Sequence, residues 1–189
     1  MELIWEHSYG ATSVDDICAR ADVRKGSFYH FFKSKSELAA AALEADWRKN
    51  QPALDAIFSP TTPPLERFQR SFEFGYEKLA EQKRRCGAVL GCPLFALGSE
   101  VCTQETALRG KIQEILDRKL RYYESAIRDA HAQGLIHAPD ARAKAEMLFA
   151  FVQGVLTQAR IQNDLEVLQR AYPALLELLG AKALESAAR

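Results

Sequence analysis

Val14, Ile17, Cys18 and Ala21 recur at the spacing of one helical face, and Phe28, Phe31 and Phe32 form a second apolar set soon after. Only Ala21-Asp22-Val23 lies between them, too short for anything but a turn. The helical period continues downstream. Leu38, Ala41, Ala42 and Ala45 mark a long helix that Pro52 is expected to end or kink. After the Pro- and Thr-rich linker at residues 59 to 64, Leu65, Phe68, Phe72, Tyr76 and Leu79 share a face, with Pro64 in the first turn. A longer helix is expected from about Gln104 to Gln133. Leu108, Ile112, Ile115, Leu116, Leu120, Tyr123 and Ile127 mark its core face, and Gly134-Leu135 its stop. The next begins near Pro139-Asp140 and carries Leu148, Val152, Val155 and Ala159 at 4-3-4 spacing, beside a second row of Met147, Phe151, Gly154 and Gln158. The last holds Leu165, Leu168, Tyr172, Leu175 and Leu179, with a kink expected at Pro173. The expected fold class is all-α.

Capping chemistry sets the boundaries. Thr12 and Ser13 precede the first apolar set, with Asp15 and Asp16 placed to complete a capping box, and Ser34-Lys35-Ser36-Glu37 is a cleaner box for the long helix. Two short helices joined by a tight turn over residues 14 to 35 have the size of a helix-turn-helix, whose second helix lies in a DNA major groove. Charge supports this. From Val23 to Ser36 there is no acid, while Arg24, Lys25, Lys33 and Lys35 stand there with Tyr29 and His30. Gly26 and Ser27 near the start of the second helix let its backbone approach a phosphate. The plainer alternative is a helical corner with a solvated basic face.

Composition narrows the class without naming it. The chain has 189 residues, 48% apolar and 26% charged, enough for one or two domains with a real core. No apolar run approaches the ~18 residues that span a bilayer, and no basic-then-apolar leader opens the chain, so the reading is a cytoplasmic protein with no membrane segment. Net charge is zero, and the first fifty residues carry slightly more acid than base, so any DNA footprint is the local basic window. Four cysteines, at 18, 86, 92 and 102, show no zinc spacing and read as free thiols. The basic run Lys83-Arg84-Arg85 suits a solvated helix C-terminus. His7, His30, His131 and His137 are scattered, and no metalloprotease, nucleophile-elbow or phosphate-loop motif appears, which argues against an enzyme and implies no metal or cofactor.

The run Ala11-Thr12-Ser13-Val14, Ile17, Ala21-Asp22-Val23, Lys25-Gly26-Ser27-Phe28-Tyr29-His30-Phe31-Phe32-Lys33-Ser34-Lys35 and Leu38 resembles the DNA-binding domain of the TetR/AcrR family of bacterial transcriptional regulators, densely over about residues 3 to 44. Three positions depart from the family pattern: Ser8 and Asp22 stand where glycine is common, and Arg24 where a capping Ser or Thr is frequent. Leu3 and Ile4 match the apolar end of the family's first helix, while most of that helix and its usual basic arm have no counterpart in these residues. The apolar segment at residues 86 to 101, with Gly91-Cys92-Pro93-Leu94 and Glu100, resembles a NemR-like branch that includes electrophile sensors, with Cys92 at the branch's cysteine. No thiolate-stabilising neighbour stands near Cys92 in sequence, so a packed wall position competes with a sensing one.

The resemblance implies a helix-turn-helix domain at residues 1 to 46 and a helical effector-binding and dimerisation domain at residues 47 to 189. It implies a ligand-responsive repressor of double-stranded DNA. Thr12, Lys25, Tyr29 and Lys35 are candidates for phosphates, with Gly26 for close backbone approach, and Arg24, Ser27 and His30 for bases. A small apolar or aromatic effector would be lined by some of Phe68, Phe72, Cys92, Phe95, Tyr122, Tyr123, Phe149 and Phe151. The two C-terminal seams fit either ordinary core helices or a four-helix dimer interface. The resemblance favours a homodimer through Leu148, Val152, Val155, Ala159, Leu168, Tyr172 and Leu175. The alternative is a helical small-molecule carrier or partner-binding protein that does not bind DNA.

Overall fold

The computed structural model describes residues 2–181. Among them are nine helices: α1 (Glu2–His7), α2 (Val14–Ala21), α3 (Lys25–Phe31), α4 (Lys35–Ile57), α5 (Pro64–Cys86), α6 (Pro93–Val101), α7 (Thr106–Ala132), α8 (Ala141–Gln162) and α9 (Glu166–Leu179). The fold is all-α, as the periodicity predicts. Contacts gather it into two units: the residues up to Gln51 with Cys92–Asp117, and Pro52–Gly91 with the residues from Arg118 onward. The boundary drawn from sequence at 46/47 thus falls within α4, and the second unit excludes the α6 segment.

In the first unit the chain leaves α1 at Ser8, whose φ of 113° is a conformation natural to glycine. Local bonds hold it there. The Ser8 carbonyl accepts from the Thr12 hydroxyl at 2.7 Å and its Oγ from the Ala11 N–H at 3.2 Å. Ser13 and Asp16 form a complete capping box on α2: the Asp16 N–H donates to Ser13 Oγ at 3.1 Å, and the Ser13 N–H to the Asp16 carboxylate at 2.8 Å. The side-chain and backbone bonds from Ser13 lower the Asp16 pKa, so the box is intact at neutral pH and is lost as the pH falls through that lowered value. Asp22, standing where the family often has glycine, closes α2 in the left-handed conformation (φ 51°) that aspartate tolerates. The second box is only half formed. Ser34 Oγ accepts from the Glu37 N–H at 3.1 Å, but Glu37 reaches past Ser34 to the Lys33 N–H at 2.7 Å.

α4 does not stop at Pro52. It continues to Ile57, and Phe58 just beyond it is buried. Proline forfeits one ladder bond and crowds the preceding turn, at ~3 kcal/mol in a helix interior. Burying Phe58 offsets a cost of that order. α9 likewise runs through Pro173. The expected stop at Gly134 is present: Gly134 has φ 70°, and the Leu135 N–H donates to the Ala130 carbonyl at 3.0 Å.

The second unit is held by two polar clamps. Arg67 is buried at 1% exposure. Its Nε donates to the Thr62 carbonyl at 2.8 Å and one terminal nitrogen pairs with Asp129 at 2.6 Å, tying the proline linker to α5 and α7. Asn163 sits left-handed after α8. Its amide accepts from the Val89 N–H at 2.8 Å and donates to the Gly87 carbonyl at 3.1 Å, while its own carbonyl accepts from Lys83 Nζ at 2.6 Å. Leu79, Val89, Ala159, Val167 and Leu168 pack beneath that clamp, with α8 against α9.

Candidate nucleic-acid interface and effector core

α2 and α3 pack together, and Phe28 is the side chain of α3 buried in that packing. The rest of α3 turns outward. Lys25, Gly26, Ser27, Tyr29 and His30 are exposed, and so is Arg24, which caps α3 without a side-chain bond. Tyr29 is 53% exposed, its ring edge-on to Phe28 at 5.1 Å, which leaves the hydroxyl in solvent. Lys25 is engaged by Asp15 of α2 at 2.9 Å, and the resulting bond and charge raise its pKa. Both partners are mostly exposed, so the pair is weak and exchangeable for a phosphate.

Two phosphate candidates are placed otherwise. Thr12 is buried at 2% exposure and its hydroxyl is spent on Ser8. Lys35 donates to the carbonyls of Tyr9 and Thr12 at 2.8 and 2.9 Å, with its ammonium 4.0 Å from the Tyr9 ring centroid. These two side chains brace the turn before α2 rather than reach outward. Phe31 is a correction of the opposite kind. Expected on the apolar face, it is 72% exposed, edge-on to His30 at 4.9 Å. Phe28 alone satisfies the packing of so short a helix, and the second phenylalanine is left to the surface.

α6 contacts α1. Glu100 of α6 accepts from the backbone N–H groups of Tyr9 and Gly10 at 2.9 and 2.5 Å. A Cβ on Gly10 would lie 2.9 Å from the Glu100 carboxylate, so a larger residue there would push the carboxylate aside. The sequence marked Glu100 only as part of the α6 segment.

The second unit contains an aromatic cluster. Tyr123 lies 5.7 Å from Phe58, Phe68 and Phe149, and Phe58 is 5.3 Å from Tyr122. Phe72 pairs with Tyr172 at 5.1 Å. The Tyr122 hydroxyl bonds Asp55, and burial, then that bond, raises its pKa. Four of the eight expected lining residues are thus in one cluster, with Phe72 beside Tyr172. Phe151 lies partly buried on α8, while Cys92 and Phe95 belong to the first unit. Phe58 was missed because α4 was expected to end or bend at Pro52. Leu54, Ile57 and Phe58, read as a continuing helical face, were the available signal.

The expected dimer seam is also corrected. Leu148, Ala159, Leu168 and Leu175 are 0–3% exposed within the single chain, and Tyr172 faces Phe72. These residues are the chain's own core. The side of α8 left to solvent is the second row, with Met147 and Ile161 at 42% and 78% exposure and Gly154 and Gln158 exposed between them.

Residues 1–42 match the family described as bacterial regulatory proteins, tetR family, and residues 65–175 match the tetracyclin repressor-like C-terminal domain. The chain belongs to the TetR family of transcriptional regulators, a family of DNA-binding proteins rather than enzymes. It is 30% identical over 166 residues to the transcriptional regulator AcuR of Cereibacter sphaeroides, covering 86% of this chain and 73% of that one. It is 23% identical over 186 residues to the transcriptional repressor NemR of Escherichia coli K12, covering 97% and 91%. The crystal structure of a regulatory protein TetR from Rhodobacter sphaeroides superposes with a TM-score of 0.80 at 27% identity, over 95% of this chain and 92% of that one. Among the described residues, no helix is long and apolar enough to cross a membrane, and no cluster of His, Cys, Asp and Glu could hold a metal ion.

Proposed function

We propose that this chain is a cytoplasmic, ligand-responsive repressor that binds a palindromic operator as a homodimer and is released by a small apolar or aromatic molecule. The outward face of α3 carries the reading. Every residue from Arg24 to His30 except Phe28 is exposed and none of them is acidic, with Asp15 of α2 beside them in its exchangeable pair with Lys25. Lys25 and Tyr29 hold phosphates, and Arg24, Ser27 and His30 meet base edges, with the backbone at Gly26 close to the duplex. Phosphates are neutralised by few groups per subunit, so binding depends on two readers placed one helical turn apart, ~34–36 Å. The second row of α8, from Met147 through Phe151, Gly154 and Gln158 to Ile161, faces the other subunit.

The effector occupies the aromatic cluster around Tyr123. It changes DNA affinity only by its preference for one arrangement of the protein over another. α4 begins directly after the reader and ends beside Phe58 of the cluster, so it is a continuous element available to carry the change. The test is binding to a duplex from the chain's own promoter region, titrated with salt, for the wild type and for Lys25→Ala with Tyr29→Phe. Tight binding with a steep salt slope is expected; of the four phosphate contacts the double variant removes per dimer, only the two from Lys25 carry charge, so the slope falls by ~2. Binding that is weak, flat with salt and indifferent to the variant turns the reading towards a carrier or partner-binding protein.

A further inference from the structure

Two side-chain atoms among the described residues are buried without a hydrogen-bond partner, the amide carbonyls of Gln82 and Gln153. Gln153 is 5% exposed and stands one turn after Phe149 on the same side of α8. Phe149 touches the aromatic cluster through Tyr123, and Leu156 and Ala159 beyond Gln153 belong to the aliphatic cluster. The amide therefore lies between the ring-lined and aliphatic parts of one core. A second register agrees. Lys83 bonds Asn163, so α5 and α8 share their C-terminal end. Phe68 and Phe149 both meet Tyr123 further back. Gln153 then falls level with about Phe72 to Tyr76. An orphaned buried carbonyl costs ~1–3 kcal/mol, and leucine fits the same helical position without that cost.

We propose that the Gln153 carbonyl is the polar anchor of the effector core and selects uncharged, mainly aromatic molecules that carry one hydrogen-bond donor. This rests on the effector reading above and narrows it. The carbonyl accepts and cannot donate, so the matching ligand group is a hydroxyl or an N–H. Charged ligands find no free buried counterpart among the described residues. Arg67, the one ionic side chain fully buried among the described residues, is committed to Asp129, Thr62 and Pro60. The Tyr122 hydroxyl is committed to Asp55. Gln82 is the useful contrast: it is equally orphaned, but it lies in the last turns of α5, by the Asn163 clamp and away from the rings.

The probes are 2-naphthol, its methyl ether and 2-naphthoate, measured by equilibrium dialysis against the full chain. The wild type should bind 2-naphthol about tenfold tighter than the ether, the worth of one well-made hydrogen bond, and tighter than the carboxylate. In Gln153→Leu the naphthol-to-ether ratio falls to about one, while Gln82→Leu keeps the wild-type ratio. Without ligand, Gln153→Leu melts at or above the wild-type temperature. A ratio that survives in Gln153→Leu, a ratio equally lost in Gln82→Leu, or a lower melting temperature for Gln153→Leu overturns the anchor while leaving the effector core standing. Preference for 2-naphthoate overturns the ligand class. No binding of any probe overturns both the anchor and the aromatic effector core, and leaves DNA binding to be judged by the salt titration alone.

Discussion

α3 and the core around Tyr123 are built on opposite terms. α3 buries one side chain, Phe28, and spends the others on solvent; the core buries Phe58, Phe68 and Phe149 around a half-buried Tyr123 and leaves the Gln153 carbonyl unpaired. The helix proposed to meet a polyanion carries no acid of its own, and Asp15 reaches it only from α2. The core proposed for a small molecule is marked by a polar atom that folding alone does not satisfy. The two should respond to substitution in opposite ways: changes on α3 alter DNA affinity and leave stability almost untouched, and changes in the core do the reverse.

The largest expected effect is on the core side. Arg67→Ala removes a buried guanidinium and strands the Asp129 carboxylate and the carbonyls of Thr62 and Pro60. Asp129 keeps some solvent, so the loss should sit near ~3 kcal/mol, at the lower end for a broken buried pair. Urea denaturation reads it directly. Tyr29→Phe, measured beside it, should move stability by no more than ~0.5 kcal/mol. If the two variants lose similar stability, α3 is a packing element and the contrast collapses.

Ile161→Glu tests the surface that the single chain leaves open. At 78% exposure the substitution costs the isolated fold little. If the outward row of α8 faces a second copy, it places an unpaired carboxylate on each side of that interface. A penalty of ~3 kcal/mol weakens the dimer by ~100-fold, which sedimentation velocity across a dilution series detects. Leu148→Ala makes the complementary probe, since it should destabilise the fold. An unchanged dimer in Ile161→Glu returns the interface to some other face.

How much of this was legible follows from which signals are local. Helix positions and the stops at Asp22 and Gly134 depend on neighbours within a few residues, and they agree with the pattern. The misplacements share one cause, which is that periodicity finds an apolar face without saying what covers it. The seam of Leu148, Val152, Val155 and Ala159 is the more apolar row of α8, and the chain takes Leu148 and Ala159 for its own core, with Val152 and Val155 half-buried beside them. The row left exposed is the weaker one. Phe31 matched the period of Phe28 yet lies outside, because a helix of seven residues packs only one such side chain. Thr12 and Lys35 carry the right groups for phosphate, but the nearby carbonyls of Ser8 and Tyr9 reach them first. The Gln153 anchor has no local signature at all, since an orphaned atom is defined only by everything around it.

The smallest effect, and the sharpest check on the turn behind the reader, comes from Ser8→Gly. Ser8 holds φ 113°, where a Cβ is strained, whereas Asp22 at φ 51° occupies the left-handed well that aspartate tolerates. Glycine relieves strain of ~1–2 kcal/mol at Ser8. Against this, it loses the exposed Oγ bond to Ala11 and gives the unfolded chain more freedom, at ~0.5–1 kcal/mol for the latter. The balance is a gain of ~0.5 kcal/mol in chemical denaturation, with nothing comparable for Asp22→Gly, where the relief is smaller and the entropy cost the same. The carbonyl of residue 8 survives the change, so the Thr12 bond and the Lys35 brace should remain and DNA affinity should be unaltered. Destabilisation by Ser8→Gly would mean that the Oγ bond, rather than the backbone, sets the geometry of the turn, and the bracing roles of Thr12 and Lys35 would then have to be measured separately.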